Sequence, residues 1–175
     1  MKIMSWNVQG LGVPIYKRMR GRLHLELQKT LIGDPIDILL VQEHHLSKRR
    51  IDSYGSILPG QWMLYWTPGI GSNEAHAAVY IAISERWTRN IIRYEELIPG
   101  RAQYIVLNLR NENIAFLNIY APNSSLERSR SWNQLTELCL GNLNWCIGGD
   151  FNMIERVGDR TCGSLITVHG QELAY

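Results

Sequence analysis

Four short strings constrain this chain more than any other feature. They read S-W-N-V-Q-G at 5–10, L-L-V-Q-E at 39–43, N-I-Y-A-P-N at 118–123 and G-G-D-F-N at 148–152. Each joins a short apolar run to a polar side chain or a hard oxygen ligand. Such runs, bounded by turn signals, read as strands. The polar residues therefore fall at strand ends, where open sheets place their sites. Glu43 and Asp150 bring carboxylates to those ends, Asn7 and Asn152 bring amides, and Tyr120 brings a phenol. A hard cation such as Mg²⁺ takes one or two protein carboxylates and completes its shell with phosphate oxygens and water. The pattern points to phosphodiester hydrolysis.

The elements between the strings set the fold class. Residues 2–8 read as a first strand, followed by a turn at Gly10 and Gly12. Ile15, Met19, Leu23, Leu27 and Leu31 recur every four residues, which predicts a helix that ends at Gly33-Asp34-Pro35. Residues 36–41 form a buried strand that delivers Gln42 and Glu43. Residues 62–66 and 77–83 read as strands around a loop at 68–73. Gly69-Ile70-Gly71 in that loop is a turn and no phosphate fingerprint, because no helix pattern follows. Residues 103–109 and 114–120 flank Asn111-Glu112-Asn113, a hairpin signal. Residues 126–140 carry apolar side chains at helical spacing, with Ser124 or Ser125 as cap. Residues 144–149 form a last strand before Asp150. Early strand–helix alternation followed by hairpins predicts an α/β sandwich of sheets with helices outside.

Composition narrows the setting. A chain of 175 residues with 45% hydrophobic residues and 6 Trp builds one core, so the expectation is a single domain over 1–175. A net charge of +2 is mild for a strong nucleic-acid binder and sufficient for an enzyme that touches a few phosphates. Cys139, Cys146 and Cys162 are odd in number and lack C-x-x-C spacing, so they predict neither a disulfide framework nor a zinc site. They fit a reducing, intracellular setting. Met1-Lys2-Ile3-Met4 shows no secretory pattern, and every apolar run falls far short of the ~20 residues that span a bilayer. No membrane partner is expected.

Taken together, and in this order, the four strings resemble the endonuclease/exonuclease/phosphatase superfamily. Within it they are most similar to the endonuclease domain of LINE-type non-LTR retrotransposons. The resemblance covers essentially all of 1–175. It implies a two-sheet β-sandwich flanked by helices, the DNase-like four-layer sandwich. It implies Mg²⁺ (or Mn²⁺) as cofactor, DNA as substrate, a reverse transcriptase domain in the parent polyprotein and a nuclear location. The expected activity is DNA nicking. Members of the family also carry a later acidic residue and a terminal S-D-H string, which is absent here. The expectation is therefore a C-terminally truncated domain with impaired catalysis. The alternatives are a non-catalytic relic and another phosphoesterase of the same superfamily.

The resemblance assigns roles that the residues can be weighed for. Glu43 becomes the principal metal ligand; the plain alternative is a strand-end Glu facing water. Asn7 reaches the metal shell or a phosphate oxygen, or else simply forms the turn before Gly10. Asp150 orients the attacking water and Asn152 donates to the scissile phosphate. Alternation along an extended segment puts both on one side, with Phe151 on the other. Tyr120 donates to the phosphate, and Asn118, two residues earlier, supports it as a phosphate-binding residue or is a sheet-edge polar residue. Lys48, Arg49 and Arg50 contact the DNA backbone or form a solvated charge run. His44 and His45 would point to opposite faces of an extended segment, so at most one can face the metal; both read as loop residues, because no third ligand is spaced for zinc. His169 lacks the preceding Ser-Asp and is not expected to be the base. Arg101 and Gln103 open a strand near the site without an assigned role.

Overall fold

The computed structural model describes residues 1–10, 36–46, 48, 51, 62–67, 77–138 and 143–153. Within them eight strands form two four-stranded sheets. The first holds β1 (Ile3–Asn7), β2 (Ile38–Gln42), β3 (Trp62–Trp66) and β4 (Val79–Ser84) in the order β1-β2-β4-β3. The second holds β5 (Ile91–Ile98), β6 (Ala102–Leu109), β7 (Glu112–Tyr120) and β8 (Asn144–Asp150) in chain order. Each is mixed, with one parallel pair at an edge: β1 on β2, and β7 on β8. The sequence expectation of a two-sheet α/β sandwich holds. The helix expected around 15–31 lies outside the described residues.

β2 and β4 are central in the first sheet, and their runs I-L-L-V-Q and V-Y-I-A-I are buried on both faces. A strand covered on both sides reads as a continuous apolar run rather than an alternation. One face of the sheet sends Ile38, Leu40, Ile81 and Ile83 against Ile105, Leu107 and Phe116 of the second sheet. The other face carries Leu39, Val41, Tyr80 and Ala82 with Trp6, Trp62 and Trp66 packed on them. Polar bridges cross between the sheets. Gln103 donates to the Tyr65 carbonyl at 3.0 Å and accepts from the Tyr94 hydroxyl at 3.0 Å.

The far end of the first sheet is tied by one carboxylate. Asp37 is buried and accepts from the Lys2 backbone N–H at 2.7 Å, from Arg86 Nε at 2.6 Å and from the Trp87 indole. Burial alone would raise its pKa; the hydrogen bonds outweigh burial and hold it below the usual value.

Two elements differ from the sequence expectation. β5 and the 3-10 helix Glu85–Asn90 before it were not anticipated. Register shifts between Ile91 and Arg93 and between Glu96 and Ile98 break the two-residue period at both ends of β5. The β6–β7 turn is Arg110-Asn111, not 111–113; both residues have positive φ (53° and 69°), the conformation of a two-residue hairpin turn.

The chain clusters into two compact units, Met1–Tyr120 with Gly141–Asp150, and Ala121–Leu140 with Phe151–Tyr175. The second contains α1 (Ser125–Leu138), which starts where the Ser124 carbonyl accepts from the Arg128 N–H at 2.9 Å. Arg128 is buried and donates to the carbonyls of Pro122 and Asn123 at 3.0 and 2.9 Å, fixing the turn ahead of the helix. Among the described residues no helix is long and apolar enough to cross a membrane.

The Tyr80 hydroxyl is fully buried and has no hydrogen-bond partner among the described residues. Such a group keeps its desolvation cost, ~1–3 kcal/mol. Tyr80→Phe is therefore expected to leave stability unchanged or raise it by about 1 kcal/mol, read from the urea midpoint. A loss above that size would mean the hydroxyl has a partner.

Candidate functional site

The site is built at the ends of β1, β2, β7 and β8. In-register parallel pairing sets Asn7 beside Gln42, the residue before Glu43, and sets Tyr120 beside Asp150. Asn7 Nδ2 donates to Glu43 Oε1 at 2.9 Å and to Asp150 Oδ2 at 2.6 Å. One amide thus joins carboxylates 107 residues apart in the chain and carried by different sheets. Asn7 Oδ1 accepts from the Gln9 N–H at 3.0 Å, which fixes the amide's orientation. The Tyr120 hydroxyl lies near Glu43, whose charge helps to raise its pKa. Four of the five strand-end residues named from the sequence therefore meet in one cluster.

Glu43 sits in an uncommon backbone state. Its φ is 54°, the left-handed region that non-glycine residues seldom adopt. Such a conformation costs ~1–3 kcal/mol and persists only where its surroundings hold it. Here Gly10 N–H donates to the Glu43 carbonyl at 2.6 Å, Val8 N–H to the Gln42 carbonyl at 3.0 Å, and His44 N–H to the Ala78 carbonyl at 3.2 Å. The chain turns out of β2 at Glu43 and presents its carboxylate beside Asn7.

Asp150 is set by the two glycines before it. A Cβ on Gly148 would meet Leu40 Cδ1 at 2.8 Å. Gly149 has φ +152°, and a Cβ there would lie 2.0 Å from the Ile119 carbonyl oxygen. Only glycine lets β8 close on β7 at this point and bring Asp150 level with Tyr120.

Burial raises the pKa of the half-buried Tyr120, and the nearby Glu43 and Asp150 charges add to it; Arg101 opposes them, and the result is about 12. The phenol therefore stays protonated, a donor, through neutral pH. Arg101 lies over the Tyr120 ring at 5.6 Å, and its carbonyl accepts from the Tyr120 N–H at 2.7 Å. It belongs to the site's surroundings, which its place just before β6 hinted at without deciding.

Other expectations find different places. Asn118 is fully buried, donates to the Val41 and Tyr80 carbonyls at 3.0 and 2.9 Å, and accepts from Gln42 Nε2 at 2.6 Å. It is a bridge between the sheets, so the expected phosphate contact from Asn118 is corrected: its polar atoms are turned inward and occupied. Asn152 belongs to the second unit, has φ 48° and donates to the Ala121 carbonyl at 2.6 Å. The expected extended alternation through Asn152 fails for that reason; β8 ends at Asp150. Lys48 is exposed, and Arg49, Arg50 and His169 lie outside the described residues.

The two histidines part company. His44 is buried, its Nδ1 accepts from the Leu46 N–H at 3.1 Å, and its Nε2 faces the Thr67 carbonyl at 3.0 Å. Burial lowers its pKa to about 4. His45 instead faces the cluster, with Nε2 3.4 Å from Glu43 Oε2. Strand alternation allowed one of the pair to face the site but could not say which.

A stability prediction follows for His44. Above pH 6.5 the ring is neutral in both folded and unfolded chains, and the folded state keeps its full advantage. As pH falls from 6.5 toward 4 the unfolded chain takes up a proton that the folded chain refuses. Stability should drop across that window by up to about 3 kcal/mol. Urea midpoints at several pH values should show the drop, and His44→Gln should flatten it; equal slopes would contradict the assignment.

The donor set has a clear chemical character. Among the described residues no group of three or more His, Cys, Asp or Glu side chains gathers to hold a metal ion. What the cluster offers is two carboxylates, an amide and a phenol, all hard groups. Two like charges tied to one neutral amide repel each other, and a divalent cation beside them relieves that repulsion. Hard oxygen donors of this kind suit Mg²⁺ better than a softer metal.

No family model and no curated protein matches the sequence. Solved structures match the fold. An AP endonuclease from Leishmania major has a TM-score of 0.70 at 19% identity, over 91% of this chain and 57% of that one. The 3′ phosphatase NExo from Neisseria, bound to a product DNA hairpin, has a TM-score of 0.59 at 20% identity, over 91% of this chain and 60% of that one. The endonuclease domain of TRAS1, a telomere-specific non-LTR retrotransposon, has a TM-score of 0.55 at 17% identity, over 87% and 60%. The chain spans about three fifths of the length of these three structures. It carries the fold of the endonuclease/exonuclease/phosphatase family.

Proposed function

We propose that the chain is a phosphoester hydrolase whose substrate is DNA and whose site is the cluster of Asn7, Glu43, Tyr120 and Asp150. The observation that carries the reading is the single Asn7 amide bonded to both carboxylates. A purely structural pair of like charges at a strand-end rim has no reason to be assembled from two sheets. The similarity to an AP endonuclease, a DNA-bound phosphatase and a retrotransposon endonuclease domain supports the same chemistry. The finer reading is a nicking endonuclease of retrotransposon origin, working beside a reverse transcriptase domain.

Glu43 and Asp150 would hold Mg²⁺ or Mn²⁺, which supplies charge neutralisation at the leaving oxygen when bound. Asp150 accepts a hydrogen bond from the attacking water and aims it. Asn7 keeps both carboxylates in place. Tyr120, protonated throughout the working range, donates to a phosphoryl oxygen as negative charge builds there.

Tyr120→Phe tests the role of the phenol. Removing one preorganised donor to a developing oxyanion typically lowers kcat by ~10²-fold. Nicking of supercoiled plasmid in Mg²⁺ should fall by that order while the melting temperature stays near the parent's. An unchanged rate would remove Tyr120 from the reaction.

A further inference from the structure

We infer that His45 is a positioning residue for Glu43, the third group of a cage that holds this carboxylate for its cation. The inference rests on the reading of Glu43 as a ligand and adds a residue to it. His45 Nε2 lies 3.4 Å from Glu43 Oε2, on the oxygen that Asn7 does not touch. Asn7 takes Oε1, His45 faces Oε2, and Tyr120 lies near the same carboxylate. Each carboxylate oxygen thereby has a polar neighbour, which restrains rotation of the group and leaves lone pairs for a cation.

The backbone is shaped for this contact. His45, like Glu43, is left-handed, with φ 53° against 54°. Two left-handed residues separated by one residue curl the chain tightly, and His44 between them is locked by its bonds to Leu46 and Thr67. The curl folds the His45 ring back over Gly10. A Cβ on Gly10 would lie 2.9 Å from His45 Nδ1, and Gly10 itself has φ +95°. Gly10 also donates to the Glu43 carbonyl. The glycine therefore serves the histidine and the carboxylate together: it leaves space for the ring and ties down the backbone that carries the ligand. Such a stack, in which a partner orients a ligand without binding the ion, typically changes metal affinity 10–100-fold.

The test is Mn²⁺ binding to the full chain, followed by electron paramagnetic resonance of free Mn²⁺, with thermal melts alongside. His45→Ala and His45→Phe should weaken Mn²⁺ binding about tenfold. Phe keeps the ring's bulk over Gly10, so loss in both variants separates the donor from the packing. His45→Gln places an amide nitrogen near the position of Nε2 and should restore affinity to within about threefold of the parent. Glu43→Gln provides the control. If Glu43→Gln weakens binding and His45→Ala and His45→Phe do not, the cage is wrong and the ligand reading survives. If Glu43→Gln leaves binding unchanged, or the parent binds no Mn²⁺, both fall. If His45→Gln is as weak as His45→Ala, the imidazole acts through packing and the inference is overturned.

Discussion

Glu43→Ala should remove nicking activity almost completely. Glu43 is the junction of the cluster: it accepts from Asn7, lies near Tyr120 and faces His45. Loss of its carboxylate takes away one of the two anionic donors that the described residues bring to the cluster. Charge stabilisation by a bound cation is worth several kcal/mol, so the rate should fall by about a thousandfold or more. Stability should move the other way or not at all. Alanine relieves no φ strain, but the repulsion between Glu43 and Asp150 disappears. A single-turnover assay on supercoiled plasmid, with the melting temperature measured in parallel, checks both halves. A variant that nicks at the parental rate would mean the reaction takes place elsewhere.

Gly149→Ala should unfold the edge of the second sheet. The added methyl group would lie 2.0 Å from the Ile119 carbonyl oxygen and within 2.8 Å of two more backbone atoms of that residue. Backbone cannot swing aside as a side chain can. The φ of +152° also excludes an L side chain without strain. Relief requires β8 to part from β7, which breaks the pairing of Ile119 with Gly149 and of Tyr120 with Asp150. A cost of at least about 3 kcal/mol is expected, the range reached only when a special backbone state is lost. Urea unfolding followed by circular dichroism should show it. Gly148→Ala should cost less, because its neighbour is the tip of the Leu40 side chain, which can turn. Equal costs would mean that crowding, not backbone conformation, decides both positions.

Much of this was legible in the sequence because strand ends are. The strings around Asn7, Glu43, Tyr120 and Asp150 placed four side chains at the ends of four strands, and pairing did the rest. β3 matches its expected residues 62–66, and most other strands differ at their ends only. β5 was missed because bulges disturb its period and because Arg93, Glu95 and Glu96 make it look like a loop. They are the charges of an edge strand, which guard it against pairing with another chain.

The site was harder than the fold. Asn118 reads as a site residue from its string, yet its amide bridges the sheets. Nothing in the string reports which way a strand-end amide turns. His45 shows the reverse. Adjacent histidines on an extended segment point apart, but the left-handed turns at Glu43 and His45 decide which one meets the carboxylate. Backbone states of that kind leave no periodic trace. Gly10 and the Gly148-Gly149 pair were local signs of close approach.

The most direct measurement is conversion of supercoiled plasmid to nicked circle by the whole chain in Mg²⁺, followed by treatment with DNA ligase. Hydrolysis of a phosphodiester at a site built from Asn7, Glu43, Tyr120 and Asp150 should give nicks that depend on the cation, vanish with Glu43→Ala and are resealed by ligase, the mark of 3′-hydroxyl and 5′-phosphate ends. No nicking in Mg²⁺ or Mn²⁺, or nicking that Glu43→Ala leaves intact, would contradict the account.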